Sequence, residues 1–176
     1  MTSFAYPPAG GTVVVAGATG FVGWALARFL AWDYRVIGLS RNPPSGGGGP
    51  PRAGRVEWRA CDLFSLKQTE EALEGAGAAF YLVHSMWPSA RLTQGSFADM
   101  DLICADNFAR AAAKAGVTQI VYLGGLIPDD PMLSRHLASR LEVERTLGSR
   151  GVPLTALRAG IVIGPFGSSY RIFRTL

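Results

Sequence analysis

Short apolar runs alternate with amphipathic stretches along most of the chain. The runs are five or six residues long and rich in β-branched and small apolar residues, as strands buried on both faces require. They predict six strands, at Thr12–Ala16, Arg35–Leu39, Val56–Ala60, Ala78–Val83, Thr118–Leu123 and Leu154–Arg158.

Helical periodicity and helix-capping residues mark the stretches between these runs. Ser65 with Gln68 resembles a capping box, Ser96 with Asp99 begins a long helix, and Gly116 stops it. The predicted helices are Trp24–Leu30, Ser65 to about Gly75, Ser96–Ala115 and Leu133–Leu147. This alternation of strand and helix predicts the α/β class: a single-domain, Rossmann-type, doubly wound parallel sheet in three αβα layers.

Three segments lie outside the alternating pattern. Residues 42–54 contain four consecutive glycines and four prolines, a composition that predicts a flexible loop. Residues 1–11 lack the charged region and apolar core of a signal peptide and are predicted to be a disordered tail. The Rossmann domain is predicted over 12–166. Residues 167–176 are too few for a second lobe, so the chain is expected to be a fragment or a minimal module.

The turn after the first strand carries Gly17, Gly20 and Gly23 at a spacing of three, directly before a predicted helix. A strand, a glycine turn and a helix N-terminus in that order predict a dinucleotide-phosphate site. Gly17 permits the turn, Gly20 admits a pyrophosphate, and Gly23 lets the helix approach the strand. Backbone N–H groups at the positive end of the helix would hold the phosphates, namely those of Thr19, Gly20, Phe21 and Val22. The alternative is a glycine-rich turn in some other α/β protein.

The end of the second strand indicates which dinucleotide fits. NAD sites usually carry a carboxylate there for the ribose hydroxyls, whereas this chain has Ser40 and Arg41. A guanidinium can bind the 2′-phosphate of NADP with two hydrogen bonds. Asp33 precedes the strand and lies at the wrong end of the sheet to replace the carboxylate. The sequence therefore favours NADP over NAD, unless Arg41 only solvates the flexible loop.

Two further strand ends carry candidate cofactor contacts. Asp62 and Leu63 follow the third strand, where they could contact the adenine amino group; Asp62 could equally be a turn or cap residue. Val83, His84 and Ser85 end the fourth strand, at the carboxyl edge where ligands bind in such folds. His84 could donate to a ribose or act as an acid, or it could be purely structural.

Composition and charge limit the function classes. The chain of 176 residues is 48% hydrophobic with a net charge of +4 and no basic cluster, which fits an anionic cofactor and excludes nucleic acid. Cys61 and Cys104 have no metal-ligand spacing, so no metal site is expected. We predict buried, reduced thiols and a cytoplasmic location. The absence of an 18-residue apolar run predicts no membrane span.

Taken together, these motifs are similar to those of the short-chain dehydrogenase/reductase superfamily. AGATGFVG, Arg41, the pair Asp62–Leu63 and IVYLGG at Ile120–Gly125 carry the resemblance, which covers about residues 12–166. More narrowly, the chain resembles the atypical NAD(P)H-binding group, which shares the TGATGFVG turn with extended, epimerase-like members. The resemblance implies a Rossmann sheet, bound NADP(H) and reduction or dehydration of a small molecule.

The chain departs from this family at the catalytic positions. Active members place a Ser after strand five and a Tyr-x-x-x-Lys on the next helix, where the Tyr is the acid or base. Here the strand-five position holds Gly124 and Gly125, and the helix offers His136 and Arg140 at the same four-residue spacing. His136 could transfer a proton and Arg140 could hold the ribose. The alternative is a solvated His136 and an Arg140 paired with Glu144.

Three functions are therefore compatible with the sequence. The first is an NADP(H)-dependent oxidoreductase acting on an unknown small molecule with a non-standard active site. The second is a non-catalytic NADP-binding sensor or assembly module, which the missing Ser, Tyr and Lys would explain. The third, a nucleotide-sugar epimerase or dehydratase, ranks last because it needs a C-terminal lobe. An exposed apolar patch near residues 161–173 would favour a homo-oligomer.

Overall fold

The computed structural model of the protein describes residues 7–44, 56–83, 97–129, 132–164 and 167. Its strands are β1 (Thr12–Ala16), β2 (Arg35–Ser40), β3 (Glu57–Ala60), β4 (Ala78–Tyr81), β5 (Gln119–Gly125) and β6 (Leu154–Ala159). Its helices are α1 (Phe21–Leu30), α2 (Leu66–Leu73), α3 (Phe97–Lys114) and α4 (Arg135–Leu147). The predicted alternation of strands and helices is confirmed.

All six strands are parallel and lie in the order β3-β2-β1-β4-β5-β6. After β1, the chain adds β2 and β3 on one side of that strand. It then adds β4, β5 and β6 on the other side. The strand order thus reverses between β1 and β4, and ligands bind at such a switch point, beyond the carboxyl ends of the strands. The predicted doubly wound Rossmann sheet is confirmed, and its topology places the candidate site next to the β1–α1 turn.

Helices cover both faces of the sheet, as alternate residues of β1 show. Val14 and Ala16 pack into the core formed with α2, α3 and α4, while Val13 and Val15 pack into the core beneath α1. A strand that contributes to both cores has no polar face, which explains why Thr12–Ala16 is a continuous apolar run.

Several observed boundaries differ from the predicted ones by one to three residues: α1 begins at Phe21 rather than Trp24, and β4 ends at Tyr81 rather than Val83. β5 continues to Gly125 because Gly124 and Gly125 pair with Arg158 and Ala159 of β6. Residues 7–11 belong to the predicted tail, yet the Gly10 N–H donates to the Asp33 carbonyl (2.8 Å), which attaches this stretch to the α1–β2 connection. The Ser96 cap and residues 45–54 of the predicted loop lie outside the described residues.

Candidate functional site

The turn between β1 and α1 has a backbone that requires two of its glycines. Gly17 has a φ of +82°, and a Cβ there would lie 2.8 Å from the Leu82 carbonyl oxygen beside β4. A Cβ at Gly23 would overlap the Gly17 carbonyl oxygen and the Ala18 Cα. Glycine at these two positions lets α1 begin directly above the carboxyl end of β1, so that its N-terminus points to the switch point.

Gly20 has a different environment from the other two glycines. Its φ of −74° is open to any residue, and among the described residues a Cβ there would meet only the Gly17 carbonyl oxygen, at 3.3 Å. Thr19 and Gly20 are exposed, and α1 begins without a side-chain cap. The first N–H groups of a helix have no partner within the helix and carry its positive end. The Gly20 N–H is not one of these donors, contrary to the prediction, because it donates to the Gly17 carbonyl within the turn (3.0 Å). The first N–H groups of α1, which include those of Phe21 and Val22, form an open cradle whose donors and charge fit a pyrophosphate.

The end of β2 forms a turn closed by a serine. The Ser40 hydroxyl donates to the Asn42 carbonyl (3.0 Å) and accepts from the Asn42 N–H (3.2 Å). The Arg41 side chain is exposed at this turn, one strand away from the glycine turn. Arg41 thus lies at the carboxyl edge of the sheet, at the end of β2, and the Ser40 hydroxyl stabilises the turn.

Asp62 stabilises the turn after β3. Its Oδ1 accepts a hydrogen bond from the Phe64 N–H (3.1 Å), and its own N–H donates to Gln68 Oε1 (3.0 Å). Close by, Ser65 Oγ accepts a hydrogen bond from the Gln68 N–H, as the capping box predicts. Asp62 is therefore a turn residue, one of the two roles open from the sequence. Its contact with an adenine remains a prediction.

Asn107 is a residue of this region that the sequence analysis missed. Its Nδ2 donates to the carbonyls of Leu63 (2.8 Å) and Phe64 (3.0 Å), so α3 holds the turn that follows β3. Asn107 is buried, as is Leu63. The signal that could have found it is a polar amide on the apolar face of a predicted helix, since a buried amide requires hydrogen-bond partners.

The end of β4 is described only in part. Val83 is half-buried beyond β4 and packs against the core under α3 and α4. His84 and Ser85, the other two candidate contacts predicted here, lie outside the described residues.

His136 and Arg140 differ in their surroundings despite their helical spacing. His136 is exposed in the first turn of α4, whereas Arg140 is only 5% exposed and its Nη2 donates to Asp101 Oδ2 on α3 (2.7 Å). The alternative pairing of Arg140 with Glu144 is wrong, because Glu144 accepts two hydrogen bonds from Arg158 of β6 (2.7 and 3.0 Å). Arg140, at the position where the resemblance predicts a lysine, thus joins α4 to α3.

Tyr122 explains why β5 carries glycine where active family members have serine. Tyr122 is fully buried within β5, and its hydroxyl donates to the Arg140 carbonyl (3.3 Å). A Cβ at Gly124 would lie 2.7 Å from Cε1 of the Tyr122 ring. The ring therefore occupies the space that a side chain at Gly124 would need.

The two cysteines are free and buried, as predicted. Burial raises the pKa of the Cys104 thiol from 9.0 to about 12, and burial also raises the pKa of the Cys61 thiol. Thiolates are the reactive form of cysteine, so neither residue is activated as a nucleophile.

The raised pKa of Cys104 predicts that stability falls in alkaline solution. Below pH 9 the thiol is protonated in both states, but between about pH 9 and 12 only the unfolded chain loses the proton. The free energy of unfolding should therefore fall across this interval, as measured by urea denaturation at a series of pH values. Cys104→Ala should make the fall shallower. An unchanged slope would contradict the assignment to Cys104.

Two kinds of site are absent from the part of the chain that the structure describes. No group of three or more His, Cys, Asp or Glu side chains that could hold a metal ion occurs in the described part of the chain. Of the helices within the described ranges, none is both long and apolar enough to cross a bilayer.

Comparison with known proteins identifies similar chains. Residues 13–131 match the model of the NAD dependent epimerase/dehydratase family. The auxiliary protein GraX of Staphylococcus aureus (strain NCTC 8325 / PS 47) is 32% identical over 136 residues, which are 76% of this chain and 43% of GraX. The chain therefore spans less than half of this curated relative.

Solved structures share the fold at low identity. A UDP-N-acetylglucosamine 4-epimerase from Bacillus cereus has a TM-score of 0.70 at 21% identity, over 93% of this chain and 60% of the epimerase. The triphenylmethane reductase of Citrobacter sp., determined with NADP(H), has a TM-score of 0.65 at 21% identity, over 85% of this chain and 49% of the reductase. At such identities these similarities describe the fold alone.

Proposed function

Because the chain belongs to the NAD dependent epimerase/dehydratase family, we propose that it binds NADP(H) and acts as an oxidoreductase on a small molecule. The observation that carries the proposal is the open cradle at Gly20, where exposed backbone donors at the positive end of α1 meet the switch point of the sheet. Buried, unactivated Cys61 and Cys104 support a cytoplasmic setting.

In this proposal, different residues of the chain bind different parts of the cofactor. The turn Gly17–Gly23 holds the pyrophosphate, exposed Arg41 binds the 2′-phosphate, and the Asp62–Leu63 turn borders the adenine. Val83, shortly after β4, would border the nicotinamide ribose. The same role for His84 and Ser85 remains a prediction from the sequence, because both lie outside the described residues. When bound, NADPH supplies the hydride for reduction of a carbonyl.

His136 and Arg140 have separate roles in the proposed reaction. Exposed His136, in the first turn of α4, holds the proton that a substrate oxygen takes up on reduction. Arg140 is a positioning residue, because its guanidinium is bound to Asp101 and joins α4 to α3 beneath the site. The proton donor would thus sit on a helix fixed by a buried ion pair.

A non-catalytic NADP-binding module is the second candidate. It is favoured by the Tyr122 ring, which fills the space of the expected serine at Gly124, and by the pairing of Arg140 with Asp101. This candidate predicts the same cofactor affinity with no turnover. Calorimetric titration with NADPH and NADH tests the shared binding step, and a screen of carbonyl acceptors then separates the two candidates. Binding of neither nucleotide would contradict both.

Arg41→Ala should weaken NADPH binding more than NADH binding. Charge-assisted hydrogen bonds to the 2′-phosphate contribute about 1.5–3 kcal/mol, and NADH has no such phosphate. Calorimetry on both nucleotides measures the difference. Arg145→Ala is the matched control, since Arg145 is an exposed arginine in the last turn of α4, at the opposite edge of the sheet. Equal losses for the two nucleotides would show that Arg41 does not read the 2′-phosphate.

A further inference from the structure

Asn107 is a buried amide within α3 whose hydrogen bonds leave the helix. The residue is only 8% exposed, and its Nδ2 donates to the Leu63 carbonyl (2.8 Å) and to the Phe64 carbonyl (3.0 Å). An amide nitrogen has two protons, so these two bonds use its whole donor capacity. The side chain therefore stabilises the turn after β3 rather than α3 itself.

The turn after β3 has several hydrogen bonds of its own, but they are local. The Phe64 N–H donates to Asp62 Oδ1 (3.1 Å), and the Ser65 N–H donates to the Asp62 carbonyl (2.9 Å). Exposed turns held by local bonds open at a low cost in free energy. The two bonds from Asn107 connect this turn to α3, more than 40 residues further along the chain, and so fix its position relative to the helix layer.

The turn after β3 is also bonded to the end of β2. The Cys61 N–H donates to the Ser40 carbonyl (3.0 Å), and Arg41 follows Ser40 directly. A continuous series of hydrogen bonds and peptide links therefore runs from Asn107 through the turn after β3 to Arg41. A shift of the first turn would be passed to the second through one hydrogen bond.

We propose that Asn107 is a positioning residue for the adenosine half of the cofactor. This inference rests on the proposed function, in which the Asp62–Leu63 turn borders the adenine and Arg41 binds the 2′-phosphate. Asn107 is buried behind these turns, so it acts through the Leu63 and Phe64 carbonyls and does not touch the nucleotide. By holding both turns in the free protein, its amide group spares the nucleotide the cost of ordering them on binding.

Asn107→Leu tests this role, because leucine has a similar shape but no hydrogen-bond donor. The Leu63 and Phe64 carbonyls lose their partner, and the turn populates other arrangements. If the binding arrangement is then present in one tenth of the molecules, the affinity for the adenosine half falls about tenfold. Calorimetric titration with adenosine 2′,5′-bisphosphate, which contains the adenine and the 2′-phosphate but no nicotinamide, measures this loss.

Gln119→Leu is the matched control, since Gln119 is also a buried amide with two hydrogen bonds. It is 4% exposed, and its Nε2 donates to the Ile120 carbonyl (3.1 Å) and to Thr155 Oγ1 (3.0 Å). Gln119 begins β5, at the amino edge of the sheet, opposite the candidate site. Both variants should lower the unfolding temperature, but only Asn107→Leu should lose affinity for the nucleotide.

Hydrogen exchange of the nucleotide-free protein separates positioning from a general loss of stability. The backbone N–H groups of Cys61, Phe64 and Ser65 donate hydrogen bonds within this region. They should exchange at least about tenfold faster in Asn107→Leu than in Gln119→Leu, because only the first variant releases the turn. Equal exchange rates in the two variants would overturn the inference.

The nucleotide titrations have outcomes that distinguish this inference from the proposed function. Wild-type affinity in Asn107→Leu would overturn the inference, as would an equal loss of affinity in Gln119→Leu. If Asn107→Leu does not fold, Asn107→Ala also removes both donors, and wild-type affinity in that variant would have the same meaning. Failure of the wild-type protein to bind either NADPH or adenosine 2′,5′-bisphosphate would contradict the proposed function itself.

Discussion

Gly20→Val is expected to abolish dinucleotide binding and to leave the fold intact. The valine side chain would project into the cradle at the N-terminus of α1, where the pyrophosphate has to approach the backbone. If two charge-assisted hydrogen bonds of about 1.5–3 kcal/mol each are lost, the affinity for NADPH and NADH falls at least about 100-fold. Calorimetry with both nucleotides measures this loss.

The fold should tolerate this change because the backbone at Gly20 is extended (φ −74°, ψ 168°). The nearest described atom to an added Cβ is the Gly17 carbonyl oxygen at 3.3 Å, so the turn has to shift by only a few tenths of an ångström. The control is Gly148→Val at the end of α4, where φ is −84° and an added Cβ would lie 3.4 Å from Leu154. Both variants should unfold near the wild-type temperature, and only Gly20→Val should lose binding. Retained affinity in Gly20→Val would rule out the phosphate-binding role of this turn.

Most of the fold could be predicted because its signals are local. β1 was located to the residue, since the run TVVVA is buried on both faces and ends at a glycine whose positive φ begins the turn. The capping residue Ser65 marked the start of α2 in the same way. The end of β5 was not predicted, because Gly124 and Gly125 have low strand propensity and are strand residues only through their pairing with β6.

The environment of the candidate site depended on contacts that are distant in sequence. The four-residue spacing of His136 and Arg140 predicted a shared helix face, yet Arg140 is buried by its partner Asp101, 39 residues earlier on α3. Likewise, the ring of Tyr122 determines what fits at Gly124, and Asn107 holds a turn more than 40 residues away. A single sequence can show that a buried amide such as Asn107 needs hydrogen-bond partners, but it does not show which distant residues they are. The glycine turn could be recognised because its signal is local.

Asp101→Ala is expected to destabilise the protein by about 3–5 kcal/mol, because it leaves the buried guanidinium of Arg140 without its carboxylate. Urea denaturation measures this loss as a decrease in the free energy of unfolding. The matched control is Asp106→Ala on the same helix. Asp106 pairs with Arg150 (2.6 Å), but both side chains are considerably exposed. Exposed ion pairs of this kind contribute about 1 kcal/mol or less to the free energy of unfolding. If the two substitutions lower the free energy of unfolding equally, burial does not strengthen the effect of losing Asp101, and the prediction is contradicted.

The double variant Asp101→Ala/Arg140→Met separates a positioning role of Arg140 from direct cofactor binding. Removing both charges leaves neither member of the pair as a lone buried ion, and methionine restores part of the buried volume. Stability should therefore recover well above that of Asp101→Ala. If Arg140 acts only by joining α4 to α3, the refolded double variant keeps the NADPH affinity of the wild type. A stable double variant with weakened NADPH binding would instead assign Arg140 the ribose contact that its sequence position predicts.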